Sequence, residues 1–363
     1  MNLETPALII EEGQVRRNIA KMAGIAAACG VALRPHAKTH KLPEIARLQI
    51  GAGSKGITTA KLAEAEIMAE QGIDDIFIAY PIVTEAKLER LATLSRRINV
   101  IAGVDSLEGA TAMNETALRR GVPLQVRLEV DLGFGRTGVP YDHALELAAA
   151  IAKLEGLQFR GIYTFRGFFM NGAPTLELEA AGLEEGRLMV ELAERMRAAG
   201  LEVRDVSVGS TPTAEYAARV PGVTEVRPGT YVYYDRMQAV LGSCTLDECA
   251  AAVRVTVVSR PEPGRLVVDG GSKTFATDVG PGAPPLHLIG YGHILEEPDA
   301  VLERVSEEHG MVRVPEASPL RVGDVLHIIP NHICSTVNLH SRVYLQDGGQ
   351  MRELPVAARG AIT

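Results

Sequence analysis

Between residues 31 and 234 the chain repeats one pattern eight times: a short apolar or β-branched run, then a stretch with helical spacing. The runs are residues 31–34, 56–59, 75–80, 99–104, 124–131, 159–165, 203–209 and 224–234. Residues 61–68 and 144–154 carry helical periodicity between them. Asp105 with Glu108 reads as a capping-box start for the helix that follows. Alternation of this kind builds right-handed βαβ units and a parallel sheet. Eight units in roughly 230 residues fit a closed (β/α)8 TIM-type barrel, which takes about 250; an open doubly wound sheet is the alternative that periodicity leaves standing. After Asp235 the helical periods fade and short strands appear at residues 251–259, 265–269, 325–329 and 337–339. Strings such as Pro261-Glu262-Pro263-Gly264 punctuate them, so a second, mainly β domain is expected.

Composition narrows the function classes. At 363 residues the chain is too long for one ordinary core. A net charge of −8 with no cluster of Lys and Arg argues against a nucleic-acid surface. No run approaches the ~18 apolar residues of a membrane helix. The start MNLETPALIIEEG has neither a basic region nor a long apolar core, so no signal peptide is expected. Four irregularly spaced cysteines fit reduced thiols and a cytoplasmic protein. No solenoid-type repeat is visible.

Arg34-Pro35-His36-Ala37-Lys38-Thr39-His40-Lys41 follows the first run, which puts Lys38 at the end of a barrel strand where barrel active sites sit. A solvated basic loop is the plain alternative. A lysine there can form a Schiff base with an aldehyde cofactor, and Arg34, His36, His40 and Lys41 supply neighbouring positive groups. Lys41 reads as a surface or supporting group. Gly133 to Gly138 matches GxGxxG, yet Arg136 interrupts it and no helix opens on the glycines, which disfavours a dinucleotide site. Gly209, Ser210 and Thr211 follow the seventh run, and Gly229 and Tyr231 fall at the eighth. Loops in these places often hold a phosphate in barrels, although turns are the commoner fate of such strings. His332 and Cys334 stand at i, i+2, so on a strand both face one way and can share a metal ion. Thiolate with imidazole favours Zn²⁺ over Mn²⁺ or Mg²⁺.

The string from Arg34 to Lys41, together with Pro330-Asn331-His332-Ile333-Cys334-Ser335-Thr336-Val337-Asn338-Leu339, resembles the D-serine dehydratase and D-threonine aldolase family, built on the alanine racemase type of fold. The resemblance runs over nearly the whole chain. It implies a barrel over residues 11–240, and a β domain of residues 241–363 joined by residues 1–10. It implies that Lys38 carries pyridoxal 5′-phosphate (PLP) and that Arg136 lies near the cofactor's phenolic oxygen. Tyr163, Gly209, Ser210, Thr211, Gly229 and Tyr231 join Lys38 and Arg136 as cofactor contacts. His332 and Cys334 become ligands of a divalent metal, and His309, in Ser306-Glu307-Glu308-His309-Gly310, contacts substrate or water. Family aldolases carry a carboxylate at the second ligand position, so Cys334 is the dehydratase pattern. The implied reaction is removal of the α-proton by Lys38, with the metal aiding loss of the β-hydroxyl to give a 2-keto acid and ammonia. Retro-aldol cleavage to glycine and an aldehyde remains open.

An amino-acid racemase, for which Tyr291 or Tyr344 would be the second base, also remains open. A PLP carrier without turnover is disfavoured, since single-barrel carriers lack the β domain and the His332–Cys334 pair that this chain keeps. The partner expected is a small D-amino acid, with neither nucleic acid nor membrane, in a homodimer. One departure stands out: Arg166 occupies a place where relatives show histidine or a small residue. It either receives a substrate carboxylate or pairs with a structural acid.

Overall fold

A computed structural model describes residues 3–363. Residues 1 and 2, assigned above to the β domain, lie outside the described residues. The chain opens with β1 (Ala7–Glu11), α1 (Glu12–Cys29), β2 (Ala32–Leu33), α2 (Pro43–Gly51), β3 (Ile57–Thr59) and α3 (Leu62–Glu70). It continues through β4 (Asp75–Pro81), α4 (Glu85–Leu94), β5 (Asn99–Val104), α5 (Leu107–Arg120), β6 (Leu124–Asp131), β7 (Val139–Pro140) and α6 (Ala144–Ile151). Next come β8 (Leu157–Tyr163), the small β9 (Phe169–Met170) and β10 (Ala173–Pro174), α7 (Leu178–Ala198), β11 (Asp205–Val208), α8 (Ala214–Ala217), β12 (Glu225–Val226) and α9 (Arg236–Val240). The remainder is β13 (Ala251–Glu262), β14 (Arg265–Val268), β15 (Gly292–Ile294), β16 (Val301–Val305), β17 (Gly310–Arg313), β18 (Val325–Pro330), α10 (Ile333–Leu339), β19 (Arg342–Asp347) and β20 (Gln350–Pro355).

Two compact units divide the chain. One holds Ala20–Lys38, Pro43–Gly229 and Ala361–Thr363; the other holds the segment up to Ile19, Thr39–Leu42 and Thr230–Gly360. In the first, parallel strands run in the order β2-β12-β11-β8-β6-β5-β4-β3. The two ends meet: the Thr58 N–H donates to the Pro35 carbonyl at 2.8 Å, and His36 faces Thr58 in a parallel bridge. Eight parallel strands thus close into a barrel. The eighth expected run was too long. Its strand is only Glu225–Val226, because Pro228 offers no N–H to the ladder and a 3-10 turn follows at Thr230–Val232. The cap of α5 also moves by one residue: the Ser106 side chain accepts the Gly109 N–H, while Asp105 accepts the Gly138 N–H.

Strand alternation aims polar side chains into the barrel. Arg127 on β6 donates to Glu225 at 2.5 Å and to Asp205 at 3.0 Å. Arg34 reaches Glu225 at 2.8 Å and also Asp75, and Ser207 donates to Glu225 at 2.6 Å. Phe77, Ile101 and Tyr163 pack as an apolar layer. Between β8 and β6 the register slips by one residue, Phe159 facing Val126 and Gly161 facing Arg127. Gly161 has φ +149°, and a Cβ there would lie 2.1 Å from the Asp205 carbonyl oxygen. Gly161→Ala should therefore force β8 from β11 and cost about 1–3 kcal/mol, as overpacking does. Urea unfolding checks this; an unchanged midpoint would show that the bulge relaxes freely.

The second unit holds the sheet β16-β17-β14-β13-β1-β19-β20, with β18 paired to β13 and β15. Strand β1 runs antiparallel to β13 and parallel to β19, inside the sheet of this unit. Residues 337–339 are not a strand. They end α10, whose Ile333 and Val337 stack one turn apart on its buried face. Their apolar, β-branched character suits a strand, yet the turn begun at His332 carries them into the helix. Strands β15, β16, β17, β19 and β20 went unmarked, since their patterning is too short or too polar to stand out.

Candidate functional site

In the barrel unit, Lys38 sits half-buried in a 3-10 turn just beyond β2. Its Nζ lies 5.3 Å from the Phe165 ring centroid, and the Arg136 guanidinium lies 4.7 Å from the same ring. Phe134 meets Phe165 and Phe169 edge-on at 5.4 and 4.9 Å. The structure thus brings Lys38 and Arg136 to one aromatic cluster. Beneath Arg136 lies Glu129, 4.0 Å away, which accepts from the Tyr163 hydroxyl at 2.9 Å and from Thr137 at 3.0 Å. Burial raises the Glu129 carboxyl, against the lowering effect of these bonds and of Arg136. Tyr163 itself is buried, with its hydroxyl engaged by Glu129 rather than facing the mouth.

The glycine string after β6 folds on itself: Asp131 accepts the N–H groups of Gly133, Phe134 and Gly135. No helix opens on it, which agrees with the dismissal of a dinucleotide loop. The turn after β11 rests on a residue the sequence did not suggest. Glu185, buried on α7, accepts the Gly209 N–H at 3.0 Å and the Thr213 hydroxyl at 3.2 Å. Thr213 in turn accepts the Ser210 N–H at 3.1 Å. The Ser210 hydroxyl also lies 3.0 Å from that of Thr213, so one threonine holds both the amide and the side chain of Ser210. Gly229 closes this unit's segment, whereas Tyr231 belongs to the other unit and is fully buried there. At the C-terminal end of β3, Thr59 Oγ1 is buried without a hydrogen-bond partner. An orphaned hydroxyl, an amine and a guanidinium on one barrel mouth fit an acidic aldehyde cofactor.

Arg166 does not present a free guanidinium. It is 1 % exposed, donates to the Phe169 carbonyl at 2.7 Å and lies 3.1 Å from Glu184. Of the two readings above, pairing with a structural acid is the one observed.

In the β unit, His332 precedes α10 and Cys334 is its second residue, so the pair sits on a helix start rather than a strand. They still stand on one turn, close enough that each shifts the other's titration. Three bonds fix this turn. Asp235 accepts the Ile333 N–H at 3.0 Å, Thr336 donates to the His332 carbonyl at 2.8 Å, and Asp278 bonds His332 Nδ1 at 2.6 Å. The Cys334 sulfur lies 3.2 Å from the Thr39 hydroxyl and 3.4 Å from that of Thr230. Burial opposes charge on both groups, but each stabilises the other. Cys334 falls below the ordinary thiol value, and His332, helped by Asp278 and Asp235, rises well above that of imidazole. Burial pushes Asp235 up to about 6. Among the described residues no group of three or more His, Cys, Asp or Glu side chains gathers. His332 and Cys334 supply this turn's imidazole and thiolate donors, a ligand pair of the kind Zn²⁺ takes.

His309 is exposed at the tip of the β16–β17 hairpin, where its carbonyl accepts the Ser306 N–H. Lys41 is buried at φ 55° and donates to the Ala358 carbonyl. Asp278, Asp235, Glu129 and Glu185 escaped the sequence reading because each meets its partner only through the fold.

Comparison with known proteins gives this arrangement a family. Residues 10–237 match the family described as "Alanine racemase, N-terminal domain", and residues 250–346 match "Putative serine dehydratase domain". The chain belongs to the D-serine dehydratase and D-threonine aldolase family. It is accordingly a PLP-dependent lyase. A D-threo-3-hydroxyaspartate dehydratase of Delftia sp. is 34% identical, over 93% of this chain and 92% of that protein. A D-threonine aldolase of Arthrobacter sp. is 31% identical over 99% of this chain and 93% of its own length. The solved D-threonine aldolase from Filomicrobium marinum superposes with a TM-score of 0.89 at 29% identity, covering 99% of this chain and 97% of that one. No helix among the described residues is long and apolar enough to cross a membrane.

Proposed function

We propose that the chain is a homodimeric, PLP- and divalent-metal-dependent dehydratase of β-hydroxy D-amino acids, releasing a 2-keto acid and ammonia. The observation that supports it most directly is Cys334 beside His332, its thiol held below the ordinary value, ready to bind Zn²⁺ as thiolate. The cofactor, when bound, draws electrons from Cα, and the metal makes the β-hydroxyl a better leaving group. Lys38 holds the cofactor and takes the α-proton on its amine. Arg136 sets a fixed positive charge beside the cofactor ring, steadied by Glu129. Ser210 and Thr211 donate to the cofactor phosphate on a turn that Gly209 and Glu185 shape, with Gly229 and Tyr231 as further contacts. Tyr163 supports the floor through Glu129, and His309 serves substrate or water. Retro-aldol cleavage is the second reading, favoured by the near full-length likeness to a D-threonine aldolase.

The test is a proton NMR time course of the protein with PLP, Zn²⁺ and D-threonine in D₂O, with and without EDTA. The expected product is 2-oxobutanoate, formed only without EDTA. Glycine plus acetaldehyde would replace the dehydratase reading by the aldolase. Deuterium at Cα alone, indifferent to EDTA, would mean racemisation.

A further inference from the structure

The carboxylate of Asp278 takes two hydrogen bonds from one turn of α10. His332 Nδ1 lies 2.6 Å from its Oδ2, and the Ser335 hydroxyl donates to the same oxygen at 2.8 Å. The segment carrying Asp278 is tied to that turn on both sides. Ala276 N–H donates to the Thr336 hydroxyl at 3.3 Å, and the Asn331 amide donates to the Val279 carbonyl at 3.0 Å. Asp278 is therefore held in place by backbone ties on either flank, whatever its own side chain does. An imidazole offers one nitrogen to a metal, and the bond at the other nitrogen decides which one. With Nδ1 committed to Asp278, Nε2 is the nitrogen left.

We propose that Asp278 is a positioning residue for the metal pair: it fixes the His332 tautomer and ring angle so that Nε2 is presented beside Cys334. The proposal rests on the metal reading of His332 and Cys334. A partner of this kind is worth about 10–100-fold in metal affinity. Asp278 is about half exposed, with 47% of its side chain open to solvent, so its replacement leaves no buried cavity.

The experiment uses the full chain stripped of metal, as wild type, Asp278→Ala, Asp278→Asn and His332→Ala. Each is titrated with Zn²⁺ against a chromogenic chelator, and with Co²⁺ while the thiolate-to-cobalt charge-transfer band is followed. Asp278→Ala should lose about 10–100-fold in affinity yet reach the wild-type band at saturation. Asp278→Asn should recover most of the loss, since its amide oxygen still accepts from Nδ1–H. Unchanged affinity in Asp278→Ala would overturn the proposal. A loss matching that of His332→Ala, with an altered cobalt spectrum, would also overturn it by making Asp278 a ligand. No binding by the wild type would remove the metal reading, and this proposal with it. The visible absorbance of the bound cofactor, recorded in the same samples, reads the Lys38 assignment separately.

Discussion

Lys38→Ala is expected to abolish the visible absorbance of the lysine-bound cofactor and to lower turnover by about 10²–10⁴-fold, the range for removing a positioned acid–base group. The neighbourhood makes this replacement specific. Lys38 is half-buried and faces Phe165, whose ring Arg136 also covers, and the variant removes the amine without opening the core. Lys41→Ala is the matched control. Lys41 donates to the Ala358 carbonyl from a left-handed backbone position, so its loss should affect stability while leaving the cofactor spectrum unchanged. Absorbance titrations with PLP decide the matter. If Lys41→Ala loses the band and Lys38→Ala keeps it, the lysine assignment is wrong.

Glu225→Gln should be the most damaging single change to the barrel. Its carboxylate accepts from Arg34, Arg127 and Ser207, all inside the strands. Breaking a buried pair leaves an uncompensated charge and costs about 3–5 kcal/mol. Burial alone would raise the Glu225 carboxyl, but the charges of Arg127 and Arg34 and their hydrogen bonds outweigh it and hold it well below the usual range. A folded value below the unfolded one, about 4.3, gives stability that is complete above that pH. This stability is lost as pH falls below it. Wild type should therefore weaken on acidification from about pH 5 to 3, and Glu225→Gln should show a flatter slope there. Denaturant unfolding at several pH values measures both; a cost under about 1 kcal/mol with the same slope would discard the network as a stabiliser.

Much of the barrel was legible because parallel strands buried on both faces read as continuous apolar runs. The runs at 99–104 and 124–131 coincide with β5 and β6 to the residue. The eighth run failed at Pro228 and Gly229, where backbone chemistry overrides side-chain character. The ion network was hidden for another reason. Arg127 and Glu225 are 98 residues apart, and nothing local in either strand announces the other. At the metal pair the residue types and their spacing were visible, but not the element. A β-branched string folded as helix because Asp235 and Thr336 secure its first turn. Asp278 lies 54 residues before His332 in a Gly- and Pro-rich stretch, and an isolated aspartate there carries no local signal.

The two shortest barrel strands, β2 and β12, are neighbours of two residues each, and their ladder is only two pairs long. Arg34 extends from just past one of them and Glu225 stands on the other. Here side chains act as a latch across a seam that backbone bonding alone would leave loose. Closure of the cylinder thus depends on a few charges, and evolution can retune its rim only by carrying those charges along.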